Sequence, residues 1–333
     1  MPPVTGAATV SSDASCDAPR AVTGGRDAGG GVPVTGGIVV GAIVAAYASS
    51  LEDGGAAGGA AVDGAPGSPG GRPSSGPMCG NHTLMPPALR AVRAGDGPRI
   101  LLIHGSAADH TTWSIQLASK ALAERFTLIA FDRRADVTTV EAHADDAVSL
   151  LDAPAVVVGS SFGAVVALDV LRRYPDRCRG AILIEPPMGA SDDAPAAPAA
   201  FLAAYDQRMA EQGGPAAAEL FLRTVLGEAA FERMPRAYRE RSMSKFLEIR
   251  ADSEALLAYR PRYAELGAVH LPVQLLGGER SAAYFRPTLD ALTRALPRAE
   301  VEVIPGAGHM LHAEAHRRFA EILTAFAGRI GHA

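Results

Sequence analysis

Residues 155–173 read AVVVGSSFGAVVALDVLRR. Four apolar residues open the stretch, an amphipathic run closes it, and Gly159-Ser160-Ser161-Phe162-Gly163 stands between. An apolar run of this length suits a strand buried on both faces of a parallel sheet. The G-x-S-x-G pattern permits a strained strand-to-helix turn that holds the central serine hydroxyl clear of the sheet. Its two glycines leave room for close backbone packing, and the helix start beyond supplies N–H groups and a positive dipole end for a developing oxyanion. With 36 glycines in the chain, a structural Gly-Ser turn is the bland alternative. Its flanking strand and helix make Ser161 a candidate nucleophile instead.

Working outward, short runs of strand character recur at Arg99–Ile103, Phe126–Phe131, Ala181–Ile184, Val273–Leu276 and Val301–Ile304. Helical spacing fills the intervals: Val140, Ala144, Ala147 and Leu151; Leu289, Leu292 and Leu296; Phe319, Ile322, Phe326 and Ile330. Alternation of this kind predicts an α/β fold with a doubly wound, mostly parallel sheet. The rhythm breaks between Pro186 and Leu271, about 85 residues without a convincing strand, too long for an ordinary loop. Ala218, Leu222, Val225 and Ala229, then Phe246, Ile249 and Ser253, suggest helices there. Ligands bind beyond the carboxyl ends of such strands, so the expectation is a helical lid over about 187–270.

Two further motifs fall at strand ends. In ILLIHGSAADHTTW (residues 100–113), His104-Gly105 closes a strand, and the N–H of Ser106, or of Gly105, is a natural oxyanion donor to pair with that of Phe162. His104 itself reads as a turn residue hydrogen-bonded to backbone. Asp109, His110 and Trp113 either shape the pocket floor or cap and pack the next helix. In VEVIPGAGHMLH (residues 301–312), His309 follows the last strand in a Gly-rich loop, where a general base could reach the serine. His312 and His316 fall in the helix beyond, where surface positions suffice.

From about Ala88 onward the chain resembles the α/β-hydrolase fold family, serine hydrolase branch. It carries HG-x(7)-W, FDRR after the next strand, G-x-S-x-G and a final GAGH, in the family's order. The resemblance implies a Ser161–His309–acid triad, an oxyanion hole from Phe162 and Ser106, a structural Asp132, and no cofactor or metal. Serine at the turn separates it from the branches that carry aspartate there. One departure concerns the acid. The family's usual G-x-x-D turn reads Gly277-Gly278-Glu279-Arg280-Ser281, with Ser281 where Asp would stand. Glu185, at the strand end ILIEPP, and Glu279, two positions early in the usual loop, are the alternatives. Glu185 is favoured, because triad membership is decided by geometry rather than chain position.

The expected activity is hydrolysis of a small ester, thioester or related carbonyl compound. A cofactor-free, haloperoxidase-like oxidoreductase or a non-catalytic ligand-binding descendant of the fold are the alternatives. Composition narrows the partners. Lys and Arg number 31 against 36 Asp and Glu, for a net charge of −5, and no basic stripe suggests nucleic acid. Cys16, Cys79 and Cys178 show no paired spacing, which fits a cytoplasmic location, and Cys178 reads as a small buried hydrophobe. Residues 1–80 are rich in Gly, Ala, Pro, Ser and Thr and are expected to form a disordered extension, with the hydrolase domain over 81–333. Ile38–Tyr47 is apolar but shorter than the roughly 20 residues that span a bilayer. No stable membrane association is expected, and nothing fixes the oligomeric state.

Overall fold

The structure is a computed structural model that describes residues 89–193 and 199–330. The expectations for residues 1–80, including Cys16, Cys79 and Ile38–Tyr47, therefore lie outside the described residues, as does part of the Ala/Pro-rich lead-in near residue 195.

Seven strands form one sheet: β1 (Ala91–Ala94), β2 (Arg99–Ile103), β3 (Thr127–Phe131), β4 (Ala155–Ser160), β5 (Cys178–Ile184), β6 (Val273–Gly278) and β7 (Ala299–Ile304). Their order is β1-β3-β2-β4-β5-β6-β7. Only β1 pairs antiparallel, Ala91 opposite Phe131; the rest are parallel. The central strands are buried along their length because helices cover both faces, as continuous Val/Ile/Leu runs require. Strand β1 is the element the sequence reading did not anticipate: AVRA is a short, half-exposed edge strand with too little apolar character to stand out.

Eight helices of nine residues or more lie among the described residues: α1 (Val140–Ser149), α2 (Phe162–Arg173), α3 (Ala199–Gln212), α4 (Gly214–Leu226), α5 (Arg236–Ser244), α6 (Phe246–Ala258), α7 (Phe285–Ala295) and α8 (His316–Ile330). One face of the sheet packs on α1, α2 and α7, through Val140, Val165, Leu168, Leu289 and Leu292. The other packs on α8 and the segment around Trp113, through Leu122, Phe319, Leu323 and Phe326. Cys178 is buried at the start of β5, and that burial pushes its thiol up to about 12, the behaviour of a packed apolar side chain. No described helix is long and apolar enough to cross a membrane.

Helices α3 to α6 lie in the insertion between β5 and β6 and share a core of their own, built on Tyr205, Leu222, Phe231 and Ile249. Ala107, from the loop after β2, and Met310, beside His309, belong to that same core. The insertion is thereby packed onto the loops at the carboxyl ends of the strands. Chain order and apolar periodicity together put the chemistry-bearing loops and the inserted helices at one end of the sheet.

Candidate active site

Ser161 joins β4 to α2 with φ 55° and ψ −124°, backbone angles rare for any residue with a Cβ and costing of order 1–3 kcal/mol. The surrounding backbone enforces them. Ser161 N–H donates to Ile184 O at 2.9 Å, which extends the β4–β5 pairing one residue beyond the sheet. A side chain on Gly163 would collide with the carbonyl oxygen of Ile103, and one on Gly159 with that of Gly163. The two glycines of the motif are thus the condition for the turn. Phe162 is the first residue of α2, so its N–H has no intrahelical acceptor, and no backbone acceptor among the described loops takes it.

Glu185 is the first residue beyond β5 and adopts φ 42°, held by its N–H to Leu276 O at 3.1 Å. Its side chain is buried and fully engaged. Oε2 is 2.6 Å from His309 Nδ1, and Oε1 accepts the Gly278 N–H at 2.7 Å. His309 is 0% exposed. The Phe285 ring stacks on its imidazole at 4.5 Å and 11°, and Glu314 steadies its loop by accepting the Gly308 N–H at 2.8 Å. With Nδ1 on Glu185, the ring's Nε2 has no hydrogen-bond partner among the described residues. Burial, with the Glu185 charge nearby, raises the Tyr284 hydroxyl well above its ordinary value and keeps that group neutral.

The alternative acid lies elsewhere. Glu279 Oε2 accepts the Gly306 N–H at 2.8 Å and ties the ends of two neighbouring loops together. Ser281, at the family's usual acid position, has a buried Oγ with no partner.

Gly105, Ser106, Ser161, Leu222, Tyr238 and His312 line one cleft, among a lining without Asp, Glu, Lys or Arg. The structure thus brings the Ser106 loop, Ser161 and an inserted helix together around one space. His312 corrects the sequence reading that gave it a surface position. It is fully buried, its ring 4.4 Å from that of Trp113, and burial lowers its pKa to about 3, so it is neutral. The signal in the sequence was Trp113 itself: a large ring buried under the sheet needs neighbours to pack on it, but one sequence does not say which. Asp109 caps the turn at Thr111 (3.0 Å), and Asp132 Oδ1 accepts the His110 N–H at 2.9 Å and faces its Nδ1 at 2.6 Å. Asp109, His110 and Asp132 are the one group among the described residues that could offer three ligand atoms to a cation, all within 4.8 Å. Those contacts already occupy them in capping and pairing. Both uses are structural, as the sequence reading had it for Asp132.

Comparison with known proteins agrees with this architecture. The model of the alpha/beta hydrolase family matches residues 100–322, and the chain belongs to that family. A hydrolase of Bacillus subtilis strain 168, YraK, described as uncharacterized, is 37% identical over 106 residues, which cover 28% of this chain. The match spans only 38% of that relative's length. Among solved structures, a thermophilic esterase from Thermogutta terrifontis is 26% identical with a TM-score of 0.62, covering 73% of this chain and 93% of its own. An enol-lactonase from Burkholderia xenovorans LB400, at 20% identity and a TM-score of 0.61, shares the fold, covering 72% and 96%.

Proposed function

We propose that the protein is a serine hydrolase acting on a small ester, thioester or related carbonyl compound, with Ser161 as nucleophile, His309 as base and Glu185 as the acid. The observation that carries this reading is the buried Glu185–His309 contact at 2.6 Å, with the far nitrogen of the imidazole free. A carboxylate on Nδ1 fixes the tautomer in which Nε2 can accept a proton, and it stabilises the imidazolium that then forms. Nε2 takes the Ser161 proton as Oγ attacks the carbonyl carbon. The developing oxyanion accepts hydrogen bonds from the N–H groups of Ser106 and Phe162. The imidazolium returns its proton to the leaving alcohol or thiol, and a water molecule repeats the sequence on the acyl-enzyme.

The cleft supports the substrate class. The Ser106, Thr112 and Tyr238 hydroxyls and the apolar side chains of Leu222 and Met310 that line it suit a compact acyl chain. Helices α3–α6 act as its lid, and the cysteine pattern fits a cytoplasmic enzyme. In anaerobic, peroxide-free buffer, short-chain p-nitrophenyl esters should be turned over. Ser161→Ala should lower turnover by a factor of order 10⁶, as loss of the nucleophile does in a comparable triad. Activity that requires peroxide, or that survives Ser161→Ala, would contradict the proposal.

A further inference from the structure

We infer that Arg133 is a positioning residue that holds the oxyanion hole in shape and fastens it to the helical insertion through Asp252. The inference rests on the roles proposed above for Ser161, Ser106 and Phe162.

Arg133 follows β3 and reaches both halves of the hole. Its Nη2 donates to Gly105 O at 3.3 Å, and His104 Nδ1 donates to the same oxygen at 2.8 Å. In a planar trans peptide the carbonyl and the next N–H point in opposite directions. Anchoring Gly105 O therefore fixes the direction of the Ser106 N–H. Gly105 itself packs on the nucleophile, since a methyl group there would lie 3.6 Å from Ser161 Oγ. On the other half, the guanidinium stands 4.5 Å over the ring of Phe162, the residue whose N–H is the partner donor.

The same side chain makes a two-pronged ion pair with Asp252 of α6, with both contacts at 2.7 Å and both side chains almost fully buried. Two histidines complete the arrangement as neutral acceptors. His104 Nε2 accepts the Arg133 backbone N–H at 3.1 Å, and His143 Nε2 accepts Nη1 at 3.2 Å. Burial and the Arg133 charge lower these two rings to about 3 and about 2, so both stay neutral. A planar fork with several donors meets Gly105 O, both Asp252 oxygens and His143 Nε2 at once, and an ammonium does not.

The alternative is that Arg133 and Asp252 merely neutralise each other. Substituting both members of a buried pair with apolar residues commonly preserves stability, whereas removing one strands a charge. Arg133→Met/Asp252→Leu is therefore compared with wild type using a short-chain p-nitrophenyl ester. The double variant should melt near the wild-type temperature, yet kcat should fall about 10- to 100-fold with KM changed little, since the lost contact is felt at the oxyanion. Arg133→Lys keeps the charge opposite Asp252 and should fold, again with kcat down at least about 10-fold. Wild-type kcat in either folded variant overturns the inference while leaving the triad reading intact. A wild-type enzyme in which a fluorophosphonate fails to label Ser161 would instead remove the basis of both.

Discussion

The acid of the proposed triad turns on two residues that follow adjacent strands, Glu185 after β5 and Glu279 after β6. Glu185, at φ 42° beyond β5, turns its carboxylate onto His309 and the Gly278 N–H; Glu279 spends its own on Gly306. Glu185→Gln should preserve the packing but deprive the imidazole of its charged partner, lowering kcat by roughly 10⁴-fold, as Asp→Asn does in a comparable triad. Glu279→Gln keeps an oxygen that can accept the Gly306 N–H and loses only an exposed charge, so it should leave kcat within about threefold and cost about 1 kcal/mol or less. The reverse ranking in steady-state kinetics would make Glu279 the acid. Adding Ser281→Asp to Glu185→Gln should recover part of the lost rate, because a carboxylate then stands at the loop position whose Ser281 Oγ lacks a partner. Legibility at this scale was uneven. Gly159 and Gly163 were readable because backbone sterics demand them, while Ser161 and His309 were candidates named from their turn and loop context. The pairing of Glu185 was only one of two options, and the burial of His312 was hidden, because both depend on contacts across more than 100 residues of sequence.

At the scale of elements, the strands were readable where an apolar run marks them, the half-exposed edge strand β7 included, and not where none does. Strands β2–β7 fall on or beside the apolar runs that marked them, while β1 has no such run. The insertion was recognised as helical, but its internal packing was not legible, since Ala-rich helices such as α3 and α4 leave their partners unspecified. The turn between β4 and α2 offers a direct test of why it bends as it does. Gly163→Ala would place a methyl group against the Ile103 carbonyl, so the backbone must shift. Overpacking of this kind costs typically about 1–3 kcal/mol, and a folded variant should show a lower melting temperature together with impaired ester turnover. An unchanged melting temperature would mean that the close contact of β2 with the turn relaxes freely.

Across the described residues, burial leaves three imidazoles neutral: His104 and His312 at about 3 and His143 at about 2, against an ordinary value of 6.5. Between those values the unfolded chain binds protons that the folded one does not. Their contribution is therefore full above pH 6.5 and lost progressively as pH falls toward 3. Each ring steepens the loss by up to about 1.4 kcal/mol per pH unit. Urea midpoints measured from pH 7 to pH 4 should fall less steeply in His312→Gln than in wild type; equal slopes would show that His312 is not held neutral. For the extension, removal of residues 1–77 should change neither melting temperature nor ester turnover, as its composition offers few core-forming side chains; a drop of several degrees would show otherwise. The central claim concerns one oxygen atom in this chain, and covalent labelling tests it most directly. Treating the full-length enzyme with a fluorophosphonate and mapping the adduct by peptide mass spectrometry should place a single label on Ser161, absent in Ser161→Ala. A label on Ser160, or none at all on folded protein, would contradict the account.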